Sequence, residues 1–221
     1  GDGPVLDVAR ELRWSRVEEG YGEDPFLSGS MGSAYVRGLQ GGNVGSGENV
    51  IATLKHFTAY GVPEGGHNAG MAHVGVRELL TELSYPFEMA VKAGALSLMT
   101  AYNEVDGIPC TANPFLTNQL LRDQWGFSGF VVSDLYAIDG LMSQRVAAGR
   151  DEAGILALRS GVDSDLGGNC FSADLVRACR EGRLAEADID RAVSRILRLK
   201  FKMGLFDNPY VKVKKAEKLI G

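Results

Sequence analysis

The sequence lacks two features that would point to large non-protein partners. Its 221 residues contain no continuous apolar run of about 18 or more, the length that a membrane-crossing helix needs. Lysine and arginine number only 23 against 28 acidic residues, which gives a net charge of −5. Phosphate binding needs a basic surface, and the one basic cluster, at residues 212–215, is typical of a solvated tail. We therefore expect neither a nucleic-acid partner nor a membrane partner.

Cysteine and histidine are also scarce, at three residues each. Cys110, Cys170 and Cys179 have no metal-site spacing and are interpreted as ordinary thiols. His67 and His73 lie in a glycine-rich loop, and the sequence contains no set of His, Asp and Glu residues at metal-ligand spacing. Phosphate-binding glycine motifs and the G-x-S-x-G elbow of serine hydrolases are missing as well. We therefore expect no metal site, no nucleotide site and no serine nucleophile.

What the sequence does contain is an alternation of strand-like and helix-like patterns. Strand patterns occur at 5–8, 50–56, 96–102 and 130–133, with a weaker one at 161–165. Helical spacing occurs at 28–40, 77–92, 114–124, 138–148, 151–159, 171–181 and 186–203. Strands that alternate with helices indicate βα units and a parallel sheet.

The count of strands limits the architecture. A closed (β/α)8 (TIM-like) barrel needs eight strands and about 250 residues, whereas five strand patterns are visible here. Either weak strands escape detection or the chain is part of a barrel. We predict an α/β fold of the (β/α)8 type, incomplete in this chain, with residues 1–221 forming one partial barrel domain.

The helix at 186–203 has the clearest sequence signals. Acidic residues occupy its first turn and basic residues its last turn, in agreement with the helix dipole, and Gly204 is placed to end it. Its apolar residues form one stripe, consisting of Ile189, Val193, Ile196, Leu197 and Phe201.

Asp134 is the first candidate for chemistry. The apolar run Phe130-Val131-Val132 predicts a strand buried on both faces, and the run stops at Ser133-Asp134 before a helical pattern. The C-terminal strand ends of a parallel barrel carry catalytic residues, which favours a functional role for this carboxylate. Asp is equally typical of a helix N-cap. The spacing alone leaves both interpretations open.

Other predicted strand ends also carry polar or aromatic residues. Lys55 and His56 lie at the end of the second strand, Tyr102 at the end of the third, and Arg16 in the loop after the first. Each has a structural explanation, such as a snorkelling lysine, a packed tyrosine or an exposed salt-bridge network. All of them nevertheless converge on one rim of the predicted sheet.

Taken in order, these motifs resemble those of family 3 glycoside hydrolases, and specifically the barrel domain of a β-glucosidase, from residue 4 to about residue 211. The residues that carry the resemblance lie at 13–16, 22–25, 55–57, 77–78, 86–87, 99–103, 113–114, 125–127 and 133–134. The resemblance implies a retaining exo-β-glycosidase that acts on terminal β-D-glucosides, either β-linked oligosaccharides or aryl glucosides, and that requires no cofactor.

The resemblance also implies roles for individual residues. Asp134 matches the catalytic nucleophile, and Arg16, Lys55, His56 and Tyr102 match the residues that hold the sugar. Adjacent residues of a regular strand point to opposite faces, so the backbone must depart from regular β geometry for the Lys-His pair to reach one sugar. The family suggests non-proline cis peptide bonds at this point.

Two departures from the family pattern matter. The family has further barrel strands and a sugar-binding Asp upstream, and its β-glucosidases take the acid/base Glu from a second domain downstream. We therefore expect a complementary segment or chain that supplies the missing strands and the Glu. Asp2 is not assigned to the sugar-binding role, and Glu64, the only local acid candidate, is not assigned to the acid/base role. The N-acetylglucosaminidase branch is disfavoured because residues 135–150 hold no His.

Two alternatives and one specificity question remain at this point. The chain could be a catalytically silent sugar-binding fragment, or part of a β-xylosidase of the same family. Leu135 stands where many β-glucosidases of the family have Trp, which leaves the preference for the leaving group open.

Overall fold

The structure is a computed structural model that describes residues 2–220. Its strands are β1 (Thr53–Phe57), β2 (Ser97–Thr100), β3 (Glu104–Val105), β4 (Ile108–Pro109) and β5 (Phe130–Val132). Its α-helices are α1 (Pro25–Gln40), α2 (Val76–Glu78), α3 (Tyr85–Lys92), α4 (Ala137–Ser143), α5 (Arg150–Arg159), α6 (Ala173–Arg180), α7 (Glu186–Lys202) and α8 (Val213–Glu217). Within residues 2–220, no helix combines the length and the apolar character needed to cross a membrane.

The fold is built on a parallel sheet in the order β1-β2-β5. Two further segments extend this sheet through single parallel bridges, Val5 to Lys55 on one side and Ser164 to Val132 on the other. All five predicted strand patterns therefore align in parallel, although the outer two are reduced to one bridge each. The predicted α/β fold with a parallel sheet is confirmed.

Only β2 is buried on both faces. On β1 and β5 one face is buried, whereas Thr53, Lys55, Phe130 and Val132 on the other are half-buried, so the predicted burial of β5 on both faces is only partial. Leu54, Leu98 and Val131 are fully buried at the centre of one main hydrophobic core. Close backbone approach is part of this packing, since a Cβ atom on Gly129, just before β5, would overlap the backbone carbonyl of Leu96.

The single helix predicted at 77–92 is wrong, because the structure divides this segment. After α2 the chain forms a π-helical turn, Leu79–Leu83, in which the Ser84 amide donates to the carbonyl of Leu79 over 2.8 Å. Pro86 then stands in the first turn of α3, where its missing N–H is tolerated. A second segment predicted as an ordinary helix, Phe115–Gln124, is also π-helical.

Helix α7 ends where the sequence predicts, with Gly204 at a φ of 69°. Its predicted stripe is only partly buried, however, since Ile189 packs against a second, smaller core and Ile196 is half-buried. Ala192 and Leu199 are buried, whereas Val193 and Phe201 are 45% and 66% exposed. The helix instead turns its polar Arg195 toward the core.

Candidate active site

Asp134 lies immediately after β5, at the carboxyl edge of the sheet. Its Oδ1 accepts a hydrogen bond from the backbone amide of Leu135 over 2.7 Å. Its Oδ2 is buried, and none of the described residues donates a hydrogen bond to it. Helix α4 begins three residues later and has Tyr136 as its N-cap. The interpretation of Asp134 as a helix N-cap is therefore wrong.

His56 lies on β1, which β2 separates from β5, and its ring reaches toward Asp134. Its Nε2 lies 3.6 Å from the Oδ2 of Asp134, and its side chain is 1% exposed. The expected departure from β geometry is confirmed: the Lys55–His56 and Phe57–Thr58 peptide bonds are cis, and the strand register shifts between Leu54 and Phe57.

Arg16 approaches His56 from the loop after the first sheet segment. Its Nη2 lies 3.0 Å from the Nε2 of His56, and its guanidinium stacks on Tyr60 at 5.3 Å from the ring centroid. Glu19 holds the guanidinium with two hydrogen bonds of 2.6 and 2.8 Å. This pairing raises the pKa of Arg16 and lowers the pKa of Glu19. The Arg16 guanidinium is thus held beside His56 rather than free in solvent.

Tyr102 completes the set around Asp134. Its hydroxyl donates to the carbonyl of Leu135 over 2.8 Å. Burial, reinforced by the Asp134 carboxylate, raises the pKa of Tyr102 above its usual range. The structure therefore brings Arg16, His56 and Tyr102 together near Asp134.

Lys55 and Glu64 form other contacts. The ammonium of Lys55 is largely buried and pairs with the carboxylate of Asp2, with an Nζ to Oδ2 distance of 3.2 Å. Glu64 is exposed and pairs with Nδ1 of His73 over 2.6 Å. Its carboxylate is thus already engaged within its own loop.

Asp7 is the main site residue that the sequence reasoning missed. Its carboxylate is 2% exposed, and its Oδ2 lies 2.8 Å from Nδ1 of His56. Its two oxygens also lie 3.3 and 3.4 Å from the backbone amide of His56. The available signal was an acidic residue within the apolar run Val5–Val8, since buried charges in proteins require partners.

The loops at this rim are bonded to one another. Trp14 Nε1 donates to Oδ1 of Asn68 over 3.0 Å, which joins the loop after the first segment to the loop after β1. Ala72 forms a parallel bridge with Val105 in the hairpin of β3 and β4, which joins the loop after β1 to the loop after β2. The site thus rests on loops that support each other.

A second polar cluster lies near α4, where one oxygen each of Asp139 and Asp165 and the Sγ of Cys170 lie within 4.8 Å of one another. Arg150 donates to Asp139, and the backbone amide of Cys170 donates to Asp165, both over 2.8 Å. Burial, together with the Asp139 carboxylate, raises the pKa of Cys170 to about 12. In this arrangement the thiol therefore keeps its proton at neutral pH.

Comparisons with known proteins show the family to which this fold belongs. The family model described as "Glycosyl hydrolase family 3 N terminal domain" matches residues 3–199. A periplasmic β-glucosidase of Salmonella typhimurium is 36% identical over 94% of this chain, and a β-xylosidase of Formosa agariphila is 43% identical over 92%.

A solved structure of a β-glucosidase from Listeria innocua superposes with a TM-score of 0.91 at 38% identity over 94% of this chain. The chain spans 27% and 30% of the two curated relatives and 29% of the solved chain. The match to the family model covers nearly the whole chain, and the chain belongs to glycosyl hydrolase family 3, in the part that forms its N-terminal domain.

Proposed function

We propose that this chain is the nucleophile-bearing part of a retaining exo-β-glycosidase that hydrolyses terminal β-D-glucosides. The observation that carries the proposal is the Oδ2 of Asp134, which is buried at the carboxyl edge of the sheet without a donor among residues 2–220. Buried polar atoms normally have hydrogen-bond partners, and each exception requires an explanation, of which a catalytic role is one. A carboxylate oxygen without a donor is available to attack an anomeric carbon.

The mechanism follows from the residue types around this oxygen. Asp134 attacks the anomeric carbon and forms a glycosyl-enzyme, which water then hydrolyses. Arg16 and Lys55 donate charge-assisted hydrogen bonds to the sugar hydroxyls, and His56 and Tyr102 complete the sugar site. A retaining enzyme also needs a second carboxyl group about 5–5.5 Å from the nucleophile, acting first as acid and then as base.

A complementary segment or chain supplies that acid/base Glu and the missing strands of a (β/α)8 barrel. Three observations support this part of the proposal. The chain spans less than a third of the relatives described above. The outer sheet segments are each paired through one bridge, and the apolar residues Val193, Leu197 and Phe201 of α7 are exposed. A complementary partner would cover such surfaces.

Size measurement tests this second part. We expect the purified chain to associate with itself or with an added complementary segment, and to hydrolyse unactivated β-glucosides only with that segment present. A stable monomer of 23.7 kDa that hydrolyses them alone would refute the requirement for a partner.

Covalent labelling tests the nucleophile. A 2-deoxy-2-fluoro-β-glucoside with an activated leaving group needs little protonation, so it can react without the acid/base residue. We expect intact mass and peptide mapping to place the label on Asp134. Asp134→Asn should abolish labelling, and Asp139→Asn, a carboxylate five residues away, should not. A label on Asp139 or Asp163 would overturn the assignment, and sugar binding without a label would favour a silent sugar-binding fragment.

A β-xylosidase is the second candidate, because several relatives carry that name, including the 43% identical protein of Formosa agariphila. Matched 4-nitrophenyl β-glucoside and β-xyloside separate the two. A kcat/KM higher for the glucoside supports the first candidate, and the reverse order supports the second.

A further inference from the structure

We infer that Asp7 is a positioning residue that fixes the proton of His56 on Nδ1 and thereby keeps the Oδ2 of Asp134 free to react. The inference rests on the proposed function, since it explains how the proposed nucleophile remains uncommitted. It does not make Asp7 a group that touches the substrate.

The first half of the argument concerns Nδ1 of His56. This atom lies 2.8 Å from the Oδ2 of Asp7, in a pair whose side chains are each 1% exposed. An ionised carboxylate only accepts hydrogen bonds, so Nδ1 is the donor and carries the proton. The backbone amide of His56 donates to the two carboxylate oxygens of Asp7, at 3.3 and 3.4 Å, and this holds the carboxylate in place beside the ring.

The second half concerns Nε2 of the same ring. This atom lies 3.0 Å from Nη2 of Arg16. A guanidinium has donors only, so Nε2 accepts this bond and carries no proton. Glu19 fixes the guanidinium with its two hydrogen bonds. Two residues from different parts of the chain, Asp7 and Arg16, thus specify the same tautomer of His56.

The tautomer matters because Nε2 also faces the Oδ2 of Asp134 at 3.6 Å. With the proton on Nδ1, the lone pair of Nε2 accepts from Arg16, and the ring donates nothing to the Asp134 oxygen. With the proton on Nε2, the ring would direct an N–H at the attacking oxygen and would oppose the N–H of Arg16. A hydrogen bond to the attacking oxygen would stabilise it before the reaction and weaken it as a nucleophile. Asp7 prevents this arrangement.

Nuclear magnetic resonance of the full chain with ¹⁵N-labelled histidine tests the tautomer without any substrate. The sequence has only three histidines, and the exposed His67 and His73 serve as internal controls. We expect His56 to show a protonated Nδ1 and an unprotonated Nε2. Because Arg16 favours the same tautomer, the test variant removes both partners. In Asp7→Asn combined with Arg16→Met the amide group can donate to Nδ1, no guanidinium faces Nε2, and the proton should appear on Nε2. A wild-type His56 with its proton on Nε2, or an unchanged His56 spectrum in the folded double variant, would overturn the inference.

Kinetics of labelling by the activated 2-fluoroglucoside provide the functional test. We expect Asp7→Asn to slow the covalent step roughly 10²–10⁴-fold, the upper end being the loss that Asp→Asn causes where an Asp sets the tautomer of a catalytic His. Because Asp7 acts on the sugar only through His56, the dissociation constant for the initial complex should change less than the rate. Asp174→Asn on the surface is the matched control. Equal covalent rates in Asp7→Asn and wild type would overturn the inference.

The two measurements separate failure of this inference from failure of the proposed function. If the wild type forms no covalent adduct, the proposed function fails, while the histidine spectrum still decides the tautomer. If the double variant does not fold, the wild-type spectrum alone decides it.

Discussion

Asp163 provides the sharpest test of what holds the sheet and α7 together. Its side chain is 1% exposed and accepts three hydrogen bonds: from Nη2 of Arg122 over 2.7 Å, from Nη1 of Arg195 over 2.8 Å and from the amide of Val131 over 2.9 Å. One carboxylate therefore neutralises two guanidinium groups and satisfies a strand amide. We expect Asp163→Asn to destabilise the protein strongly while preserving the shape of the side chain.

The magnitude follows from burial and charge. The side chains of Arg122 and Arg195 are only 10% and 17% exposed, and burial lowers the pKa of Arg122 to about 10 although Asp163 opposes this. Asparagine would leave both guanidinium groups without a counter-charge. Removing one partner of a buried ion pair typically costs about 3–5 kcal/mol, and we expect a decrease in the free energy of unfolding within that range.

Urea unfolding of the full chain, followed by circular dichroism, measures this loss. The matched control is Asp174→Asn, which removes a carboxylate from a 2.8 Å ion pair with Arg177 on the surface. Exposed pairs contribute about 0–1 kcal/mol, so the control should differ little from the wild type. A loss below about 1 kcal/mol in Asp163→Asn, with an unchanged urea slope, would refute the role that we give to this carboxylate.

Two further predictions use the same protein. Gly129→Ala should lower the free energy of unfolding by about 1–3 kcal/mol, because the added Cβ overlaps the Leu96 carbonyl. Gly140→Ala is the control: outside its neighbours and its own helix backbone, no atom of residues 2–220 lies within 4 Å of the added Cβ, so it should be neutral or stabilising. Equal urea midpoints for the two variants would contradict the packing argument. Burial raises the pKa of both Cys110 and Cys170 to about 12, so their thiolates form only at much higher pH than 8. Ellman's reagent at pH 8 should therefore modify only the partly exposed Cys179 in the native chain and all three thiols in urea, and fast modification of a second native thiol would disprove this.

The sequence predicts the parallel core well because apolar runs and their spacing are local signals. Such signals do not show whether a backbone amide bonds to the carbonyl four or five residues before it. The π-helical turns at 79–83 and 115–124 were missed for this reason. The hairpin of β3 and β4 was missed although Asp106-Gly107, both at positive φ, is a recognised hairpin turn sequence.

The face of α7 shows a second limit. Apolar periodicity finds the hydrophobic side of a helix, but the buried Asp163 requires Arg195, and this ion pair fixes which side faces the sheet. The site shows a third limit. Strand-end positions predict Asp134 and His56 as candidate site residues, whereas Asp7 becomes visible only when His56 Nδ1 needs a partner.

The mutual bonding of the rim loops has a consequence for protein engineering. In a barrel whose loops are anchored only on their own helices, one loop can be transplanted from a relative without disturbing the others. Here Trp14 is tied to Asn68, and Ala72 is tied to Val105, so each loop is part of the scaffold of the next. A graft that replaces residues 58–75 alone would keep both ties only if it retained the Asn68 side chain and the backbone path at Ala72. A graft that changes either one would also disturb the neighbouring loops.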